Sequence, residues 1–153
     1  MKIMDILVRD AVVLDLASSQ KADVLAEMAG GLAAAEEGIS ADELLRVLED
    51  REALQSTGIG EGVAIPHGKL PGLHRLIASF ARSREGVDFD SIDGLPTQLF
   101  FLLVVPEHSG GQHLKALARI SRFFRDAAFR ARLHEAQSLD DVCRAIEEED
   151  AKF

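Results

Sequence analysis

Leu99-Phe100-Phe101-Leu102-Leu103-Val104-Val105, set between Pro96 and Pro106, is the stretch that decides the architecture. Seven consecutive apolar residues without polar alternation suit a strand covered on both faces, because a strand with one face in water alternates. The run is far shorter than the roughly 20 residues that cross a bilayer. Covering two faces takes helices on both sides, and the flanking sequence supplies them. Upstream, Leu25, Met28, Ala29 and Leu32 fall at i, i+3, i+4 and i+7, which predicts an amphipathic helix over 20–35 with Gly30-Gly31 as its weak point. Ser40 and Glu43 form a capping box ahead of Leu44, Leu45 and Leu48, which predicts a second helix over 41–54.

Downstream of Gly110-Gly111 the helical period returns, with Leu114, Leu117, Ile120 and Phe124 expected inward and Lys115, Arg119, Arg122 and Arg125 outward. A shorter helix is expected over 128–134. Ser138 should cap a last one that turns Leu139, Val142, Cys143 and Ile146 inward, and acidic residues 147–150 read as a solubilising end. Between the two helical halves lie a glycine-rich loop over 56–62, a short strand over 63–65 and a Pro66-His67-Gly68 turn. A strand over 75–81 and a turn region over 87–95, tightest at Asp93-Gly94, complete the middle. There is no internal repeat and no linker-like segment. The pattern predicts one α/β domain over 1–153, a mixed β-sheet flanked by helices on both faces.

With 153 residues, 47% of them hydrophobic, the chain can bury a sizeable core. Its net charge of −9 lacks the basic footprint that nucleic-acid binding needs. One cysteine, Cys143, excludes an internal disulfide framework and multi-cysteine zinc sites, and suits a reducing compartment. Lys2, Asp5, Arg9 and Asp10 interrupt any signal-peptide core. The expectation is a soluble cytoplasmic protein without nucleic-acid or membrane partners. Residues 115–132 reverse the local charge, and their cationic stripe reads either as a solvated helix face or as a dock for an acidic protein surface.

Five histidines differ in context. His67 follows a strand and a proline and precedes a glycine, which fits either an ordinary turn residue or a nucleophile held at the end of the sheet. His113 follows Gly110-Gly111-Gln112 at a helix start, where free N–H groups and the helix dipole favour an anion; a solvent-facing ring fits equally. His74, His108 and His134 read as surface residues. Gly58-x-Gly60-x-Gly62 precedes a strand rather than opening a helix and is followed by no Gly-Lys-Ser/Thr, so neither a dinucleotide fold nor a triphosphate loop fits. No H-x-x-x-H, H-E-x-x-H or G-x-S-x-G pattern occurs, which removes the usual zinc and serine-hydrolase signatures.

Arg51 with Ser56-Thr57-Gly58-Ile59-Gly60, then Ala64-Ile65-Pro66-His67-Gly68-Lys69, then His113-Leu114 at a helix start, resemble the enzyme IIA domains of the bacterial phosphoenolpyruvate-dependent phosphotransferase system, fructose/mannitol type. The resemblance spans nearly the whole chain. The Ile65-to-Lys69 motif, with no attached transporter or carrier domain, looks most like the nitrogen-regulatory branch. It implies that His67 accepts a phosphoryl group from a phosphocarrier of the HPr type, with Arg51 and His113 beside it and no metal or cofactor. His113 would donate to the phosphoryl oxygens, and Arg51 would pair with them or hold the Ser56-Thr57 loop. The alternatives are a sugar-specific enzyme IIA relaying phosphate to a IIB domain, a non-catalytic module that binds regulatory targets, and a hydrolase using His67 as base.

Overall fold

The computed structural model describes residues 1–153. Its centre is the apolar run quoted above, which lies within β5 (Thr97–Pro106). The remaining strands are β1 (Gly58–Gly60), β2 (Val63–Ala64), β3 (His67–Leu70) and β4 (Ile77–Val87). β4 pairs antiparallel along one side of β5, with Phe80 opposite Phe101. β2 and β3 lie end to end along the other side, both parallel to it. β1 turns back antiparallel to β2. Beyond β4, the amino-terminal segment adds isolated parallel bridges at Leu7 and Val13.

Successive side chains of a strand point to opposite faces, so the run divides by parity. Leu99, Phe101, Leu103 and Val105 enter one core with α3 (Gln112–Arg125), α4 (Ala127–Glu135) and α5 (Leu139–Lys152). Phe100, Leu102 and Val104 enter the other with α1 (Lys21–Ala35) and α2 (Ala41–Leu54). The expected two-faced α/β sheet is therefore the observed one, and the helix bounds agree with the periodicity and caps. Ser40 Oγ accepts from Glu43 N at 3.2 Å, and Ser138 Oγ accepts from Asp141 N at 3.1 Å.

Four readings are corrected by contacts between residues distant in sequence. The strand expected over 75–81 runs from Ile77 to Val87, past Arg82, which is only 1% exposed and finds partners for both its Nη groups where it is buried. Its guanidinium donates to the carbonyls of Leu133 (2.8 Å), His134 (3.2 Å) and Ala136 (2.7 Å), which are left over where α4 ends. In α3 the buried stripe is Ala116, Ile120, Phe123 and Phe124, whereas Leu114 is 63% exposed on the first turn. Arg119, expected outward, turns in to Asp150 at 2.9 Å. Residues 147–150 are helical rather than a loose acidic end, and Glu149 and Asp150 are both buried.

Asp150 gives that burial its reason. Its carboxylate accepts from Ile3 N at 2.9 Å and Met4 N at 3.0 Å, two amides that open the first 3-10 turn, as well as from Arg119. The start of the chain, α3 and α5 are thus tied at one buried group. The tight seat of β3 has a different origin. A β-carbon at Gly68 would overlap Cγ1 of Val47, so α2 lies directly on the residue after His67.

Asp150→Ala should lower unfolding free energy by about 2 to 3 kcal/mol, less than for a fully buried ion pair because Arg119 keeps some contact with water. Urea unfolding against the exposed control Asp140→Ala measures it. Equal midpoints for the two variants would show that Asp150 does not tie the termini.

Candidate functional site

Pro66 has no N–H to give a ladder, yet its carbonyl accepts from Leu103 N at 2.9 Å, so parallel pairing resumes at once beyond it. His67, expected in a turn, is the first residue of β3 and sits opposite Leu103. The sheet fixes its backbone, and Ile65 fixes its ring. His67 Nδ1 lies 2.8 Å from the Ile65 carbonyl, which can only accept. Nδ1 therefore carries the hydrogen, and Nε2 is left with a lone pair.

The ring is held neutral. Its pKa lies below the ordinary 6.5, first because burial disfavours the imidazolium. The Ile65 carbonyl opposes this, Arg51 adds to it, Glu52 opposes it and His113 adds to it, in falling order. Arg51 lines the same cleft as His67, whereas His113 does not line it and acts on the ring only through its charge.

His67 lines a cleft of about 350 Å³ together with Arg51, Ser56 and Thr57, and Ile59, Ile92 and Leu117 supply apolar walls. Arg51 stands in the last turn of α2, and its Nη1 donates to the Gln55 carbonyl at 2.7 Å. No carboxylate pairs with it. A guanidinium carries five N–H donors, so an unpaired cation with donors to spare faces a cleft that also holds a neutral imidazole. This combination favours an anion.

His113 is the second residue of α3, and its Nδ1 lies 3.0 Å from the Gly110 carbonyl and 3.3 Å from Ser109 Oγ. Nδ1 can donate to the Gly110 carbonyl or accept from the Ser109 hydroxyl, and in the second tautomer Nε2–H is free to donate to an anion. His74 and His108 are exposed. His134 departs from the surface reading: it is half-buried, and burial followed by Arg82 and Arg130 lowers its pKa.

The Ser56-Thr57 loop is held by a residue that the sequence did not single out. Glu52, its side chain 5% exposed, accepts from Thr57 N at 3.1 and 3.2 Å, from Thr57 Oγ1, and from Lys21 Nζ at 3.0 Å. Ser56 Oγ donates to the Phe89 carbonyl at 2.7 Å and accepts from Gly58 N at 3.0 Å. Both hydroxyls are thus committed within the protein. Gly58 is needed for close approach, since a β-carbon there would fall 2.9 Å from Ser91 Cα. A sequence signal for Glu52 did exist: an acidic residue in the last turn of a helix opposes the helix dipole, so another interaction has to hold it there. No group of three or more His, Cys, Asp or Glu is arranged to hold a metal ion.

Residues 5–149 match the family described as phosphoenolpyruvate-dependent sugar phosphotransferase system, EIIA 2. The chain is 42% identical over 142 residues to a nitrogen regulatory protein of Bradyrhizobium diazoefficiens, covering 93% of this chain and 92% of that one. It is 35% identical over 150 residues to a fructose-specific EIIABC component of Bacillus subtilis, covering 98% of this chain but 24% of that larger protein. The crystal structure of nitrogen regulatory protein IIA-Ntr from Neisseria meningitidis superposes with a TM-score of 0.88 at 36% identity, covering 94% of this chain and 98% of that one.

In an NMR titration His67 should change protonation below 6.5 and show the Nε2 lone-pair tautomer above it. Arg51→Met should move the midpoint upward, because a neighbouring cation has been removed, while burial keeps it below the ordinary value. A downward move would contradict the placement of Arg51.

Proposed function

The chain belongs to the EIIA 2 family of the phosphoenolpyruvate-dependent sugar phosphotransferase system, and from that premise we propose that Nε2 of His67 accepts a phosphoryl group from a phosphohistidine carrier of the HPr type. EIIA-type domains are phosphoryl-transfer domains, and this one has relatives named nitrogen regulatory protein as well as sugar-specific ones. One observation carries the assignment to His67: its Nδ1–H is spent on the Ile65 carbonyl, so the neutral Nε2 lone pair stands in the same cleft as the unpaired Arg51.

The chemistry follows from that geometry. Nε2 attacks phosphorus in line; its bond to phosphorus forms as the donor's nitrogen–phosphorus bond breaks, and that electron pair returns to the donor ring. Positive charge gathering on the His67 ring is shared through Nδ1–H with the Ile65 carbonyl. Arg51 presents its remaining N–H groups to the phosphoryl oxygens, and Nε2–H of His113 adds a second donor. Catalysis is positioning and electrostatic stabilisation, with little other covalent work for the protein. His67, Arg51 and His113 thus act as one constellation, and Arg51 also closes the end of α2 through Gln55.

The role we assign is that of a nitrogen-related regulatory component in the cytoplasm, whose phosphorylation changes what it binds. No helix is long and apolar enough to cross a membrane. A phosphohistidine puts up to about two negative charges where a neutral ring had been, enough to repel an acidic partner surface or recruit a basic one. The match to a fructose-specific EIIABC component favours a second reading, relay to a IIB-type domain.

Incubation with phosphoenolpyruvate, the general first enzyme and the carrier should add one acid-labile phosphoryl group by intact mass. His67→Ala should abolish it with the fold intact, and Arg51→Ala or His113→Ala should slow it by roughly a hundredfold or more. Label mapped to His74, His108 or His134 would overturn the assignment, and a protein that takes no label would be a binding module. Pull-downs with free and phosphorylated protein separate the two roles, since identical partners at equal affinity favour simple relay.

A further inference from the structure

Glu52 does not line the cleft and makes no hydrogen bond with His67. It is nevertheless the most connected group behind the cleft. Its carboxylate holds Thr57 by backbone and hydroxyl, and it holds Lys21 from the start of α1. Lys21 Nζ also reaches Asp90 at 3.4 Å and lies 4.7 Å from the centre of the Phe89 ring. The Phe89 carbonyl in turn takes the hydroxyl of Ser56. One buried ion pair therefore binds α1, α2, the 55–58 loop and the 88–91 segment, and that loop is the cleft wall containing Ser56 and Thr57.

We propose that Glu52, held by Lys21, is a positioning residue for transfer to His67: it fixes the Thr57 wall of the cleft and keeps a negative charge on the helix end that carries Arg51. This rests on the phosphotransfer reading. The groups acting on His67 come from three sides, with Arg51 and Glu52 from α2, His113 from α3 and the Ile65 carbonyl from the link between β2 and β3. Lys21 and Asp90 act at one remove, through Glu52. Among the charged groups with the largest effect on the ring, Arg51 and His113 disfavour the imidazolium and Glu52 favours it. Removing its charge therefore pushes the titration midpoint of His67 down, and the acid limb of a rate that needs neutral imidazole moves to lower pH with it. A residue serving only to fold the loop would change the rate without moving that limb.

The test is single-turnover transfer from phosphorylated carrier, measured across pH, with His67 titrated by NMR in the same proteins. Glu52→Gln should lose roughly tenfold to a hundredfold in rate, the scale of a small misplacement of reacting groups, and shift both midpoint and acid limb downward. Glu52→Asp keeps the charge and should keep the midpoint while losing rate through its shorter reach. Thr57→Val keeps Glu52 and loses the hydroxyl bond; it should slow transfer without moving the midpoint, and it serves as the test should Glu52→Gln fail to fold. An unchanged rate in Thr57→Val, or a folded Glu52→Gln protein with wild-type rate or midpoint, would overturn the proposal. Wild-type protein that takes no label would overturn the phosphotransfer reading itself and this role with it.

Discussion

A strand with apolar side chains on both faces cannot stay at a surface, and everything else in this fold is arranged around that constraint on β5. Fully burying one large aliphatic or aromatic side chain contributes about 1.5 to 3 kcal/mol, so seven in a row outweigh any single local preference in the segments that must cover them. Odd-numbered residues draw in α3, α4 and α5, and even-numbered ones draw in α1 and α2. The long sides of β5 must also be hydrogen-bonded, because its amides have no water to turn to. β4 takes one side; β2 and β3 share the other, with Pro66 between them. The site follows from that division: His67 stands at the first position where pairing resumes past the proline, held by the sheet yet beside a break in it.

The same helix end provides the cation and the anion behind the site and keeps them apart. Arg51 and Glu52 are neighbours in sequence, and neighbours on a helix point in different directions. Arg51 faces the cleft, while Glu52 turns to Thr57 and Lys21. Had the two been three or four residues apart, they would pair and cancel. Adjacent placement leaves the guanidinium uncompensated at the cleft and still gives the buried carboxylate a full set of donors. A neutral histidine beside an uncompensated arginine is a setting in which an incoming dianion gains more than it would in water.

Legibility in the sequence followed the range of the interaction. Helix α1 was readable from its period, α2 and α5 from period and cap within the segment, and β5 because both its faces are apolar. The motif around His67 named the ring but not its position in a strand, since pairing with Leu103 involves a residue thirty-six positions away. Arg82 hid a strand extension because a charged residue looks like an end until the carbonyls of α4 are in view. Arg119 looked solvated for the same reason. Asp150 looked like part of a soluble tail because its partners, Ile3 N and Met4 N, lie at the other end of the chain. Glu52 was passed over beside the more conspicuous Arg51.

These long-range bonds also explain how separate elements are held around the three residues proposed for transfer. His67 is carried by the sheet, Arg51 by the end of α2 and His113 by the start of α3. A transfer step tolerates little error in the distance between such groups. Apolar packing sets the spacing of helix and sheet but is weakly directional, so a helix can still slide or turn on it. Directional contacts remove that freedom. Close approach of Val47 to Gly68 sets α2 against β3, Glu52 joins the end of α2 to the cleft wall, and Asp150 fixes α3 through Arg119, six residues past His113. The buried polar groups that make this sequence hard to read are thus the ones that convert a loosely specified sandwich of helices and sheet into one fixed arrangement of helix ends around the cleft.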